Sequence, residues 1–136
     1  MLPDKIKLEI ATPEKPVLAE SVDEVVLPSI QGYMGVRPGH APLLAKLDIG
    51  EISYRLGSDT RFVATSGGFA EVLRESVRVL AETAEPAEEI DVERALLSKS
   101  KAEEGMQSDQ SPERFRRWEV RLKRAIGRIQ TRKHIG

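Results

Sequence analysis

From Lys5 to Thr83 the apolar residues recur mostly at every second position and in short runs, the period of a strand with one covered face. Ile6, Leu8 and Ile10 alternate with Lys7 and Glu9, and Val77, Val79 and Ala81 alternate with Arg78 and Leu80; a further run ends Arg61-Phe62-Val63. Turn-forming residues separate the runs at Thr12-Pro13, between Gly35 and Gly39, from Leu47 to Gly50, at Gly57-Ser58-Asp59 and at Gly67-Gly68. This spacing predicts a β-sandwich over residues 1 to 86. Pro38-Gly39 presets a turn, because Pro fixes the first central φ and Gly accepts the positive φ that a type II turn requires at the second.

The period changes after Pro86. Asp91 can cap a helix from Val92 to about Glu104, with Glu93 in the first turn and Gly105 as its stop. Val92, Ala95, Leu96, Ala102 and Met106 form its apolar stripe, and Arg94 and Lys101 share another face. GMQSDQS is a polar link. Ser111 then caps and Pro112 opens a second helix running to about Arg132. Phe115, Trp118, Leu122, Ile126 and Ile129 give that helix an apolar seam. Arg114, Arg117, Arg121, Arg124, Arg128 and Arg132 form a separate ridge within about 80° of arc. The expected fold is mixed, β then α: an N-terminal sandwich, residues 1–86, followed by a C-terminal two-helix antiparallel hairpin, residues 87–136.

Charge divides the chain in the same place. Residues 1 to 89 carry nine Lys or Arg against fifteen Asp or Glu, a balance of −6, and residues 90 to 136 carry twelve against seven, a balance of +5. With 136 residues and 4% aromatics, the sandwich core must be filled by Val, Leu and Ile. No apolar run is long enough to span a bilayer, and the Met-Leu-Pro-Asp start lacks the regions of a signal peptide, so the expectation is a soluble chain that begins where it is written. The absence of cysteine excludes disulfides and thiolate metal sites.

Candidate chemistry is sparse. His40, at the exit of the Pro38-Gly39 turn, has no nearby second His and no serine nucleophile in a strand-to-helix elbow. Glu88 and Glu89 are consecutive in a polar linker and point apart, without the apolar walls that raise a carboxyl pKa. No phosphate loop occurs, and Gly67-Gly68 alone reads as tight strand packing or a bulge. No enzyme is expected. The arginine ridge fits either a specific partner or phosphates, and the alternative function is a free-standing interaction module that uses the ridge on nucleic acid or an anionic membrane surface. Against nucleic acid, the basic module is joined to an acidic one, and Phe115 and Trp118 lie on the seam, where packing would hide them from bases.

Three blocks in order decide between these readings: GYMGVRPGHAPLL from Gly32, SGGF from Ser66, and VLAETAEPAEEID from Val79 to Asp91. Together they resemble the epsilon subunit of the rotary F-type ATP synthase over essentially the full length. The resemblance implies a non-catalytic central-stalk subunit, peripheral on the cytoplasmic face of the bacterial inner membrane, with neither nucleic-acid binding nor direct membrane insertion. It implies partners in the gamma subunit, the ring of c subunits and an acidic segment of the beta subunit. By position the rotor contact is Ser29, Ile30, Gln31, Tyr33, Met34 and His40, with Ile30, Tyr33 and Met34 as an exposed apolar tip.

The same resemblance implies a hairpin that folds on the sandwich or extends to restrain ATP hydrolysis through its arginine ridge. It requires no cofactor but implies ATP as a regulatory ligand of the folded hairpin, magnesium being left open. The family's motif is matched by Ile90, Asp91, Arg94 and Ala95, and further contacts fall on Glu85, Arg124 and Arg128. One position departs: Lys101 stands where those members carry arginine, offering a point charge in place of a fork.

Overall fold

The computed structural model describes residues 2 to 108 and 111 to 135. Its strands are β1 (Ile6–Ala11), β2 (Pro16–Val22), β3 (Glu24–Ser29), β4 (Gly32–Val36), β5 (Leu43–Lys46), β6 (Gly50–Leu56), β7 (Asp59–Ser66), β8 (Phe69–Val72), β9 (Ser76–Leu80) and β10 (Thr83–Pro86). A single 3-10 turn, Ala87–Glu89, leads to helices α1 (Val92–Ser108) and α2 (Pro112–Lys133).

The strands form two five-stranded sheets, ordered β2-β1-β9-β8-β5 and β10-β7-β6-β3-β4. β1 pairs with β9 in parallel, and the other pairings are antiparallel. Alternation buries Ile6, Leu8 and Ile10 of β1, Val77 and Val79 of β9, Ile52 of β6 and Val63 of β7 between the sheets. Each large aliphatic side chain so removed from water contributes about 1.5 to 3 kcal/mol before entropy is subtracted. Tyr54 is the one aromatic in this core cluster among the described residues, and no residue of either helix belongs to it. The sandwich therefore closes its core without the hairpin.

Turn chemistry explains the register. Gly39 has φ +87°, and His40 N–H donates to the Arg37 carbonyl at 3.1 Å, completing the turn expected at Pro38-Gly39. Gly67 and Gly68 both take positive φ where the chain passes from β7 in one sheet to β8 in the other. A side chain on Gly68 would overlap the Leu80 carbonyl and Ala81, so both its conformation and its close approach demand glycine.

The hairpin departs from expectation at four points. α1 does not stop at Gly105 but continues to Ser108, because Gly105 is buried where an added Cβ would overlap the Trp118 indole. The glycine serves helix–helix contact, and the polar link is shorter than expected, falling partly on 109 and 110, outside the described residues. Secondly, α1 buries Ala95, Ala102 and Gly105 while Leu96 is exposed, since small residues let α2 approach closely on a face rotated from the larger apolar side chains. Thirdly, Phe115 at the start of α2 is exposed, and the seam is carried by Trp118, Leu122, Ile126 and Ile129, each half-buried. Pro112 opens α2 as expected, but the Ser111 side chain makes no cap hydrogen bond. Gly105 meets Trp118, and Arg121 Nε donates to Ser98 Oγ at 3.0 Å, so the helices run antiparallel. α2 is the helix that packs on β7 and β6, and α1 packs on α2.

Candidate functional site

Where α2 crosses the sheet of β10, β7 and β6 it leaves a cleft of about 710 Å³. Glu85 of β10, Lys15 ahead of β2, Ser98 of α1 and Arg117, Arg121, Arg124 and Arg128 of α2 line it. α2 brings four arginines to one wall because they recur at three- and four-residue steps, the spacing of a single helix face. The opposite wall belongs to the acidic half of the chain, so net charges of opposite sign face one another across the cleft.

Carboxylates of the sandwich and carbonyls of the 3-10 turn after it hold part of the ridge. Arg128 Nε donates to Glu85 Oε1 at 2.7 Å and its Nη2 donates to Oε2 at 3.4 Å, a fork-to-fork pair with both side chains about two-thirds or more covered. Arg124 Nη2 donates to Glu82 Oε2 at 3.2 Å, and Arg132 Nη1 donates to the carbonyls of Ala87 and Glu88 at 3.4 and 3.3 Å. Arg121 turns toward α1, bonding Ser98 and lying 5.5 Å above the Trp118 ring centroid. Arg117 is exposed at the cleft wall, and Arg114 is exposed near the start of α2.

The residues that the sequence resemblance assigns to a nucleotide divide into groups. Glu85, Arg124 and Arg128 line the cleft. Asp91 Oδ1 accepts the Arg94 N–H at 3.1 Å and so caps α1, as the sequence suggested, while Ile90 and Ala95 are buried beneath the start of that helix. Arg94 and Lys101 are exposed one helical turn before and after Ser98, itself on the cleft wall. Lys15, Glu82 and Ser98 carried no sequence signal for this place, since only tertiary packing brings a lysine ahead of β2 and an α1 serine to one cleft. Among the described residues no group of three or more His, Asp or Glu could hold a metal ion.

The expected contact tip lies at the β3–β4 hairpin and the loop after β4. Ile30, Gln31 and Tyr33 are exposed, Ile30 by 56% and Tyr33 by 62%. Ser29 Oγ donates to the Gly32 carbonyl at 2.7 Å and accepts the Gln31 N–H at 3.2 Å, which fixes the tip. Met34 differs from the exposed tip residue expected: it is half-buried and packs against the sandwich core, because alternation along β4 turns its side chain to the face of buried Val36, opposite that of Tyr33. His40 is half-buried, with Nδ1 2.7 Å from the Ala41 carbonyl.

A self-sufficient β-sandwich with a polar-docked antiparallel hairpin defines the class. The family follows from comparison: the ATP synthase Delta/Epsilon chain beta-sandwich domain matches residues 5–87 and the long alpha-helix domain of the same family matches residues 88–133, so the chain belongs to that family. It is 48% identical over 127 residues to the ATP synthase epsilon chain of Syntrophobacter fumaroxidans, covering 93% of this chain and 95% of that relative. A chain in the cryo-EM structure of the Euglena gracilis mitochondrial ATP synthase, OSCP/F1/c-ring in rotational state 1, matches with TM-score 0.80 at 27% identity, over 90% of this chain and 78% of that one. A chain of the Tetrahymena thermophila mitochondrial ATP synthase central stalk/c-ring shares the fold with TM-score 0.66 at 12% identity, over 94% of this chain and 96% of that one. The epsilon chain is a non-catalytic subunit of ATP synthase. Among the described residues no helix is long and apolar enough to cross a membrane.

Proposed function

We propose that the chain is a central-stalk subunit that couples the rotor of a proton-translocating ATP synthase to its catalytic core and restrains ATP hydrolysis through its hairpin. Residues 1–86 dock on the gamma subunit and the c-ring, with Ser29, Ile30, Gln31, Tyr33, Met34 and His40 at or behind the contact. Residues 87–136 regulate: extended, the ridge of Arg114, Arg117, Arg121, Arg124, Arg128 and Arg132 meets an acidic segment of the beta subunit. The complex lies on the cytoplasmic face of the bacterial inner membrane.

The observation that carries this reading is the chemistry of the joint. The sandwich core contains no helix residue, and ion pairs run from α2 to the sandwich, Arg124 to Glu82 and Arg128 to Glu85. Such groups regain water or another anion on release, so undocking costs far less than opening an apolar core. ATP acts as the ligand of the docked form, its phosphates drawn to Arg124 and Arg128, with Arg94 and Lys101 at the α1 side and no cofactor required. A ligand bound only by the docked form favours it by about 2.7 kcal/mol at a hundredfold excess over its dissociation constant.

Truncation after Glu89 removes both helices and no strand, and so tests the division of labour. The shortened chain is expected to co-purify with the gamma subunit and to leave a complex that hydrolyses ATP faster. Unchanged hydrolysis would remove the inhibitory role, and failure to co-purify would remove the assignment of docking to the sandwich.

A further inference from the structure

The last turn of α2 is held by a cluster separate from the arginine cleft. Thr131 is fully buried, and its one hydroxyl proton is shared between the Gly127 carbonyl at 2.8 Å and Glu51 Oε2 at 2.9 Å. His134 Nε2 lies 2.8 Å from the other oxygen, Glu51 Oε1, and its ring lies flat on Phe62 with centroids 3.7 Å apart and planes 7° from parallel. Glu51 and Phe62 share the outer face of the sheet, since β6 and β7 pair Glu51 with Ala64 and Ser53 with Phe62. One carboxylate thus grips Thr131 of α2 and His134 just past its end, and the neighbouring ring covers the second.

Glu51 is also held from the opposite direction. Its peptide N–H donates to the Tyr33 hydroxyl at 3.2 Å, and the phenol lies so low over the strand that a Cβ on Gly50 would come within 2.7 Å of its oxygen. Tyr33 belongs to β4, at the edge of the sheet and separated from β6 by β3. The neighbouring charged groups have other partners. Arg55 pairs with Asp23 and Glu24, Arg37 with Glu24, Arg61 with Glu20 and Glu85 with Arg128, while Arg132 bonds backbone carbonyls.

We propose that Glu51 is the latch of the docked hairpin and couples it to the β4 tip. Its carboxylate holds Thr131 and His134 while its peptide is held by Tyr33, so a partner that lifts Tyr33 from the Gly50-Glu51 backbone loosens the last turn of α2. Release of that turn weakens the seat of Tyr33 in return, because coupling between two sites is reciprocal. The inference rests on the reading that the hairpin leaves the sandwich and that Tyr33 lies on a contact surface.

Amide hydrogen exchange on the full-length isolated chain, at fixed pH and without nucleotide, tests the latch apart from ATP binding and assembly. Glu51→Ala and Thr131→Val each remove two of these contacts and are expected to speed exchange over residues 125 to 135 by about tenfold or more, with β1 and β9 unchanged. Tyr33→Phe removes only a hydroxyl that bonds neither helix, and is expected to speed the same amides by about threefold, a weaker effect transmitted through one backbone bond. Thr131→Val should also speed exchange at the Glu51 amide. Wild-type protection of α2 in Tyr33→Phe would overturn the coupling, and wild-type protection in Glu51→Ala would overturn the latch. An equal rise over β1 and β9 would mean general destabilisation and would overturn both.

Discussion

Arg128 and Glu85 meet fork to fork across 43 residues of sequence, one on α2 and the other on β10, with the shorter bond at 2.7 Å. The pair fastens the hairpin to the sandwich, and it is also the pair that the nucleotide reading needs. A phosphate reaching Arg128 must exchange with a carboxylate already in place. On the proposed nucleotide reading, docking without ligand and binding of ATP draw on the same guanidinium.

That exchange predicts the effect of Arg128→Ala. Removing the fork should weaken ATP binding by about 1.5 to 3 kcal/mol, the range of a hydrogen bond to a charged group. Lys101→Arg, restoring a fork on the α1 side, should tighten it. Titration of the isolated chain with ATP, followed by Trp118 fluorescence or NMR, measures both. The absence of any saturable change in the wild type at millimolar ATP would reduce the Ile90 to Ala95 motif to a helix start.

Tyr33 separates docking from folding. Its ring is largely exposed, so Tyr33→Asp should leave the thermal unfolding of the sandwich nearly unchanged, whatever it loosens at the end of α2, while weakening co-purification with the gamma subunit and the c-ring. A chain unfolded by this substitution would show instead that the residue belongs to the core.

Gly105 tests the helix pair. Alanine is favoured over glycine in a helix by about 1 kcal/mol, so an open site would gain stability from Gly105→Ala. Here the added Cβ would overlap Trp118, and overpacking of this kind costs about 1 to 3 kcal/mol. The expected result is red-shifted Trp118 emission and faster exchange in α1, with the sandwich unaffected. Stronger protection of α1 would show that the helices absorb the methyl group without loss.

Acid should act on the sandwich through Asp23. The Lys5 ammonium, which donates to its carboxylate, and then the Gly57 N–H hold that carboxyl below its usual range. A lowered folded value means that this stabilisation is complete above the unfolded pKa, about 3.9, and is lost as pH falls through the lower folded value. Asp23→Asn should lower the urea midpoint at pH 7 and flatten its decline below about pH 4. A wild-type acid response in the variant would assign that decline to other carboxylates, Glu9 first, since Lys7 and then Arg78 hold it down in the same way.

Period determined most of what the sequence settled by itself. Alternation assigned Ile6, Leu8 and Ile10 to one face, the Pro38-Gly39 pair required its turn, and the change of spacing after Pro86 divided sandwich from hairpin. The start of α1 was also legible, with Asp91 as its cap, because capping is decided within four residues. Period could not say which neighbour each face would meet. Spacing alone makes Gly105 a helix stop and Phe115 a seam residue, but in the fold Gly105 lies against Trp118 and Phe115 is exposed. The arginine ridge was visible on the helical wheel, but its division among Glu82, Glu85, Ser98 and two carbonyls depended on how α2 crosses the sheet. Glu51, Thr131 and His134 gave no sequence signal, because the 80 residues between Glu51 and Thr131 are spanned only by tertiary packing. Local preferences are written in a few neighbouring side chains, whereas contacts between elements depend on the shape of both partners at once.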